Sequence, residues 1–230
     1  NFAYGDTTAT SSGDIAINAA SVIASATGDY AFTEIGTGTL HTGVNSGAIS
    51  GNITINTGTL SLTTTDPQRD SYEQVWIGKG GSGAVTGNIA VTASGNIAIA
   101  SNGAGVSSIG SISAPVDSQY NWLQGKGSGN LTVLSGGNVS LSAQNGGNAR
   151  IESGSFTTGN ISVTAAGNVT LTGATGGAAL IGGISAGDSG LNVAVVSTGG
   201  AIDLESTGPS AVQIGNAWGG GVTGNISGNV

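Results

Sequence analysis

Short runs in which aliphatic residues alternate with small polar residues recur along this chain, and most of them follow a Gly-Asn pair. Alternation with a period of two predicts a short β-strand with one buried side. Gly and Asn both tolerate a positive φ, so the pair before each run is typical of a turn. The clearest copies are doublets whose two Asn residues are eight positions apart, in segments 87–99, 129–141 and 159–171.

A third, less regular run follows each doublet and often ends in Ile-Gly. Copies lie at 32–36, 75–78, 149–151, 179–182 and 212–215, and 119–123 fits loosely. The first strand of each unit starts at a recurrent position, where Gly190 stands in for Asn; these positions are Asp14, Asn52, Asn88, Asn130, Asn160, Gly190 and Asn225. Stacked units of this kind predict an all-β fold, a parallel β-helix with about seven rungs and three strands per rung. We expect a single β-solenoid array over 13–230, preceded by an irregular lead or bridging strand at 1–12.

Stacking places equivalent residues beside one another, so the pattern also predicts the interior and the surface. One buried column is expected to contain Ile53, Ile89, Leu131, Ile161, Leu191 and Ile226, and a second Ile55, Val91, Val133, Val163 and Val193. Between them, Thr54, Ala90, Thr132, Ser162 and Asn192 should face outward. We expect the turn residues to form an amide ladder, each side chain bonding the next, of Asn52, Asn88, Asn130, Asn160 and Asn225.

Composition excludes several function classes. Only 7% of the residues are charged, the formal net charge is −8, and the four cations are scattered, which disfavours nucleic-acid binding. No apolar run is long enough to span a membrane. Cysteine is absent, so there is neither a disulfide framework nor thiol chemistry. Methionine is also absent and the chain opens without a secretory signal, so we expect a processed or excised piece of a longer secreted chain.

The doublet Gly-Asn-Ile-Ala-Val-Thr-Ala-Ser-Gly-Asn-Ile-Ala-Ile at 87–99, together with the Ile-Gly-x-Gly-Gly ending of the third run, resembles a known kind of repeat. Similar repeats occur in the filamentous-haemagglutinin-like proteins of two-partner secretion and in related autotransporter adhesins. The resemblance covers most of 13–230. It implies a right-handed β-helix, secretion across an outer membrane, and adhesion or matrix building at a bacterial cell surface.

The sequence gives only weak evidence for a catalytic or metal-binding site. Glycoside hydrolysis needs two carboxylates a few ångströms apart. Asp203 and Glu205 share one side of a strand, and Asp66, Asp70 and Glu73 crowd one loop, but both groups are most simply solvated charge. His41 has no evident base or metal partner. We therefore expect a protein that is not an enzyme and has no cofactor, with calcium in the 66–70 loop as an alternative; ice binding is disfavoured because Thr-x-Thr does not recur at one place in successive units.

An aromatic patch is the most specific candidate for a contact surface. The segment with Tyr72, Trp76 and Lys79 has a near copy one unit later, which carries Tyr120, Trp122 and Lys126. Alternation places Val75 and Ile77 inward and therefore Trp76 outward. Sugars and neighbouring protein chains both stack on such rings. The alternative is that the insertions around Pro67 and Pro115 fold back and bury the aromatic side chains.

These features together predict an extracellular or cell-surface β-solenoid, a stalk or filament segment of a large bacterial adhesin. Its expected partners are other copies or the rest of a longer chain, and surface carbohydrate or a protein of a host or neighbouring cell. A second hypothesis is a self-assembling filament subunit joined end to end by strand pairing. In that case Phe2 and Tyr4 of the segment 1–12 would supply side chains to a partner's open core. A carbohydrate-active enzyme is the third alternative.

Overall fold

The computed structural model describes residues 10–28, 31–38, 47–66, 73–81, 83–113, 127–153, 156–183 and 190–216. Every regular element within these ranges is a β-strand, which confirms the prediction of an all-β fold. The strands, in chain order, are β1 (Ile15–Thr27), β2 (Phe32–Gly38), β3 (Ile53–Thr65), β4 (Gln74–Gly81), β5 (Val85–Thr86), β6 (Ile89–Ala93), β7 (Ile97–Asn102), β8 (Val106–Ser113), β9 (Gly127–Ser128), β10 (Leu131–Ser135), β11 (Val139–Gln144), β12 (Asn148–Ser153), β13 (Phe156–Ala165), β14 (Val169–Ala174), β15 (Ala178–Gly183), β16 (Gly190–Ser197), β17 (Ile202–Thr207) and β18 (Ala211–Ile214).

The strands form two sheets, and every pairing of strands in both of them is parallel. The smaller sheet has six strands in the order β18-β15-β12-β8-β4-β2, and the larger sheet has 12 strands. The long strand β3 joins two arms of the larger sheet, because Ile53–Thr57 pairs with β6 while Leu60–Thr65 pairs with β7. The first arm continues through β10, β13 and β16, and the second through β11, β14 and β17. This arrangement is compatible with a β-solenoid.

Parallel pairing in register stacks the inward side chains into continuous aliphatic columns. In the first arm Ile53, Ile89, Leu131 and Ile161 are register partners in successive strands. All four side chains are at most 1% exposed, and the second arm repeats the pattern with Leu60, Ile97, Val139 and Val169. The strands of both arms thus bury one side in the interior, as alternation predicts.

The predicted register is wrong in β16. Val193, not Leu191, pairs with Ile161, and Asn192 pairs with Asn160. The repeat therefore starts at Asn192 and not at Gly190. A shift of two residues keeps each side chain on its predicted side, so Leu191 is still buried and the hydrophobic pattern alone does not reveal the error.

Glycine is required where the backbone of one repeat stacks closely on the next. Gly51 and Gly87, each just before an Asn of the first arm, have φ values of +105° and +94°. A Cβ on Gly51 would clash with the carbonyl oxygen of Gly13, and one on Gly87 with the carbonyl oxygen of Gly51. Both the positive φ and the close approach exclude a side chain here.

Candidate functional surfaces

Trp76 lies on the outward side of β4, as alternation predicts, but it is buried, so the prediction that its ring is open to a ligand is wrong. Its side chain is 1% exposed, and its indole N–H donates to the carbonyl oxygen of Gly110 at 3.0 Å. The neighbours Val75 and Ile77 fill the core on the other side of β4, so both sides of this strand are covered. Alternation separates the two sides of a strand, but it does not say whether the outer side meets water.

Lys79 is also buried, which contradicts its predicted place on the same contact surface. It lies two residues beyond Ile77, on the inward side of β4, and is 1% exposed. Its ammonium group donates to the carbonyl oxygens of Gly51 and Thr86, the latter at 2.8 Å. Burial lowers the pKa of Lys79 from 10.5 to about 8, while the negative charge of Asp14 opposes the shift. Lys79 thus ties the small sheet to the turns of the first arm.

The other predicted contact and assembly residues lie outside the described part of the chain. These are Tyr72, Tyr120, Trp122, Lys126, Phe2, Tyr4 and Asn225, together with His41 and Asp70. Their proposed roles stay predictions.

The described Asn residues of the predicted ladder lie in register along the first arm. The Oδ1 atom of each accepts from the backbone N–H of the next: Asn88 donates to Asn52 at 3.0 Å, Asn130 to Asn88 at 2.9 Å and Asn160 to Asn130 at 3.0 Å. Asp14 serves as the acceptor for Asn52 at 2.7 Å. The main link is therefore side chain to backbone, and amide-to-amide bonds occur only at some steps, such as Asn160 to Asn130 at 3.1 Å.

A second ladder runs along the second arm, and the prediction did not include it. The Oδ1 atoms of Asn96 and Asn138 accept from the backbone N–H groups of Asn138 and Asn168, both at 2.8 Å. Asn168 accepts in turn from the N–H of Ala201 at 2.9 Å. The second Asn of each doublet was the sequence signal for this ladder.

The outer side of the small sheet is closed to large partners at its central strands. Trp76, Ser108 and Leu180 lie on this side and are at most 1% exposed. Arg150, the register partner of Ser108, makes an ion pair with Glu152 at 3.3 Å. Burial raises the pKa of Glu152, and the guanidinium group opposes that rise. The two side chains are only 13% and 3% exposed, so the pair offers little surface to a ligand.

The carboxylates considered for catalysis or metal binding lie in two different environments, one buried and one exposed to solvent. Asp66 and Glu73 are 3% and 0% exposed, whereas Asp203 and Glu205 project from the exposed strand β17. The described residues contain no group of three or more His, Cys, Asp or Glu side chains arranged to hold a metal ion. Glu34 lies elsewhere, on β2, where burial raises its pKa from 4.5 to about 7.

The outer sides of the two arms are the exposed surfaces of the described repeats. On the first arm, two rows of register partners point outward; they are Thr54, Ala90, Thr132, Ser162 and Ala194, and Asn56, Thr92, Leu134, Thr164 and Val196. Leu134 and Val196 are 43% and 45% exposed, and sequence reasoning did not single them out. The available signal was local: each is an aliphatic residue at a position where alternation places small polar ones.

No protein-family model, curated protein or solved structure matches this chain. Among the described residues there is no helix long and apolar enough to cross a membrane.

Proposed function

We propose that this chain is a right-handed parallel β-helix with three strands per rung and about seven rungs, which serves as an extracellular structural and adhesive rod. The order of strands along the chain supports three strands per rung. Each of the sets β6–β8, β10–β12, β13–β15 and β16–β18 visits the first arm, the second arm and the small sheet in turn. The handedness rests on the resemblance of the repeats to those of large secreted bacterial adhesins.

The observation that carries the structural role is the in-register stacking of backbone and side chains from repeat to repeat. Asn ladders, aliphatic columns and parallel hydrogen bonds all link a strand to its counterparts in the adjacent repeats. Each repeat buries its inward side chains only with the help of its neighbours, so stability is cooperative along the stack. A rod of this kind suits a stalk or filament segment of a surface protein.

The exposed arms support the adhesive part of the proposal. Their outward rows carry hydroxyl, amide and methyl groups at regular intervals, as in Thr132, Ser162 and Thr164. Neutral polar groups of this kind can contact surface carbohydrate or a protein of a neighbouring cell without desolvating charge. The proposed extracellular location rests on the same composition and on the resemblance of the repeats to those of large secreted adhesins.

Surface display tests the function. Bacteria that display the 230-residue chain should be retained on host cells or on other bacteria under flow better than bacteria without it. The control is display of Val133→Asp, which places a charge in a fully buried column and should abolish the rod together with the retention. Equal retention with and without the folded chain would refute the adhesive role.

Electron microscopy tests the architecture separately. Seven rungs at about 4.8 Å each predict a rod roughly 30 Å long. A stack of clearly different length would refute the seven-rung β-helix.

An end-to-end filament subunit is a second candidate, and one observation favours it. Ile202 and Leu204 of β17 continue the columns of Val169 and Leu171, yet they are 42% and 49% exposed. Among the described strands β17 pairs with β14 alone. Fibres many rods long in the electron micrographs, shortened by Leu204→Lys, would support this candidate over the stalk.

A further inference from the structure

We propose that the outer side of the first arm is a docking surface for a second copy of this chain, lying side by side with the first and related to it by a two-fold axis at Thr164. The inference rests on the proposed rod, and it adds the partner and the surface by which rods associate.

Exposed apolar side chains mark this surface. Leu134 and Val196 are 43% and 45% exposed and point outward from β10 and β16. Each is a register partner of Thr164 in the strand between them. In the strands toward the other end of the arm, the same row holds the polar residues Asn18, Asn56 and Thr92. Leu134 and Val196 therefore form one local patch of larger aliphatic groups on a face otherwise covered by hydroxyl, amide and methyl groups.

Charge favours this face over the others for contact between identical chains. The chain carries a net charge of −8, so two copies repel one another in most orientations. The two outward rows of the first arm contain no charged residue in the described strands, whereas the second arm presents Asp203 and Glu205. First arms can therefore meet without desolvating a charge or opposing two carboxylates.

The register makes the patch self-complementary. Adjacent strands are about 4.8 Å apart, so Leu134 and Val196 lie at equal distances on either side of Thr164. A two-fold axis that lies between the two facing sheets, above Thr164 and parallel to β13, places Leu134 of one copy opposite Val196 of the other, and the reverse. This reciprocal pairing is what a closed symmetric dimer requires.

The size of the face predicts weak association. With the two-fold axis at β13, the described strands that face one another are β10, β13 and β16. Three strands at about 4.8 Å spacing and five residues at about 3.3 Å give roughly 240 Å² per copy. A stable interface buries about 800 Å² per partner. The dimer should therefore form only toward millimolar concentration in solution, and more readily where rods are crowded on one surface.

Analytical ultracentrifugation of the 230-residue chain across a concentration series up to the millimolar range tests the association. We expect a monomer–dimer equilibrium that Leu134→Lys and Val196→Lys each weaken by roughly ten-fold or more. Ser140→Lys is the matched control, because it adds the same charge to an outward position of the second arm and should leave the equilibrium within about two-fold of wild type. Unchanged thermal melting of each variant excludes unfolding as the cause.

Crosslinking tests the symmetry. The chain has no cysteine, so single cysteines can be introduced without background. With a short bifunctional maleimide, Thr164→Cys should crosslink to itself, and Leu134→Cys should crosslink to Val196→Cys on mixing but not to itself.

A wild-type chain that stays monomeric at every concentration, or equal effects of Leu134→Lys and Ser140→Lys, would overturn the proposal. Loss of association in Leu204→Lys alone would also overturn it, and would assign the contact to the β17 edge. In each case a rod that persists in electron micrographs shows that the architecture stands while the lateral contact fails.

Discussion

At the scale of single residues, Lys79 and Glu34 are two groups whose burial couples stability to pH. Lys79 reaches the interior and donates to the carbonyl oxygens of Gly51 and Thr86. Glu34 lies on β2, opposite Trp76 of β4 in the register of the small sheet. In both cases burial disfavours the charged form, so the pKa of the lysine falls and that of the carboxyl rises.

The wild-type chain should become more stable to unfolding as the pH rises into the alkaline range, and the Lys79→Met variant should lack this increase. Because the pKa of Lys79 is about 8 in the folded chain and 10.5 ordinarily, the unfolded chain binds the extra proton between these pH values. The free energy of unfolding of the wild type therefore increases with pH across this window, by about 2 kcal/mol. Urea unfolding between pH 7 and pH 11 measures it, and an equal rise in the variant would contradict the assignment to Lys79.

Glu34→Gln should remove a pH dependence of opposite sign at acidic pH. The pKa of Glu34 is about 7 in the folded chain and 4.5 ordinarily, so here the folded chain binds the extra proton. Stability of the wild type due to this group is therefore fully present below pH 4.5 and falls as pH rises to 7, by about 1–2 kcal/mol. The glutamine variant should show a flatter profile in thermal melts over this range. A profile that stays as steep as that of the wild type would assign the slope to other carboxyl groups.

At the scale of elements, the Asn ladders connect turns of successive repeats through one repeated bond. The side-chain oxygen of Asn138 accepts from the N–H of Asn168, and that of Asn96 accepts from the N–H of Asn138. A strand in the middle of the ladder is therefore held at its start from both neighbours. Since the side chains are exposed, water replaces part of any lost bond.

Asn138→Ala should destabilise the chain by about 1 kcal/mol, because Asn168 loses an acceptor for its backbone N–H. Asn138→Asp keeps an acceptor oxygen, as Asp14 does for Asn52, and should cost less. Ser140→Ala, on the same strand and facing outward, is the neutral control. Chemical denaturation of the three variants measures the order, and an Asn138→Ala variant as stable as Ser140→Ala would show that this step of the ladder contributes nothing.

At the scale of the whole molecule, stacking makes the stability of one repeat depend on its neighbours. Val133 illustrates this, because it is fully buried between its register partners Val91 and Val163. A change at such a position affects three strands at once, and the columns transmit the loss along the stack.

Val133→Asp should disrupt the fold well beyond β10. An unpaired charge in a dry interior costs several kcal/mol, which is comparable to the total stability of about 5–15 kcal/mol of a typical domain. Thr132→Asp, one residue away and facing outward, should remain folded. Far-UV circular dichroism and limited proteolysis distinguish the two, and a Val133→Asp chain that melts like wild type would show that this column is not buried.

The repeating pattern by itself determined the β-class of the fold, the inward and outward sides of most strands, and the positions of the first ladder from Asn52 to Asn160. These properties are local or strictly periodic: alternation sets the side of each residue, and a recurrent Gly-Asn pair sets where a strand begins. Ile89, Leu131 and Ile161 became register partners for this reason.

Only the tertiary structure decided which outer sides are covered and how the less regular repeat aligns. Trp76 faces outward from its strand, as alternation requires, yet it is buried because the outer side of the small sheet is closed there. Lys79 is on the inward side, where its amine meets carbonyl groups distant in sequence. Asn192 and not Gly190 aligns with Asn160. A two-residue shift leaves the hydrophobic pattern unchanged, so only the pairing between strands fixes the register. Coverage and register depend on contacts between distant segments, and a pattern of period two contains no information about either.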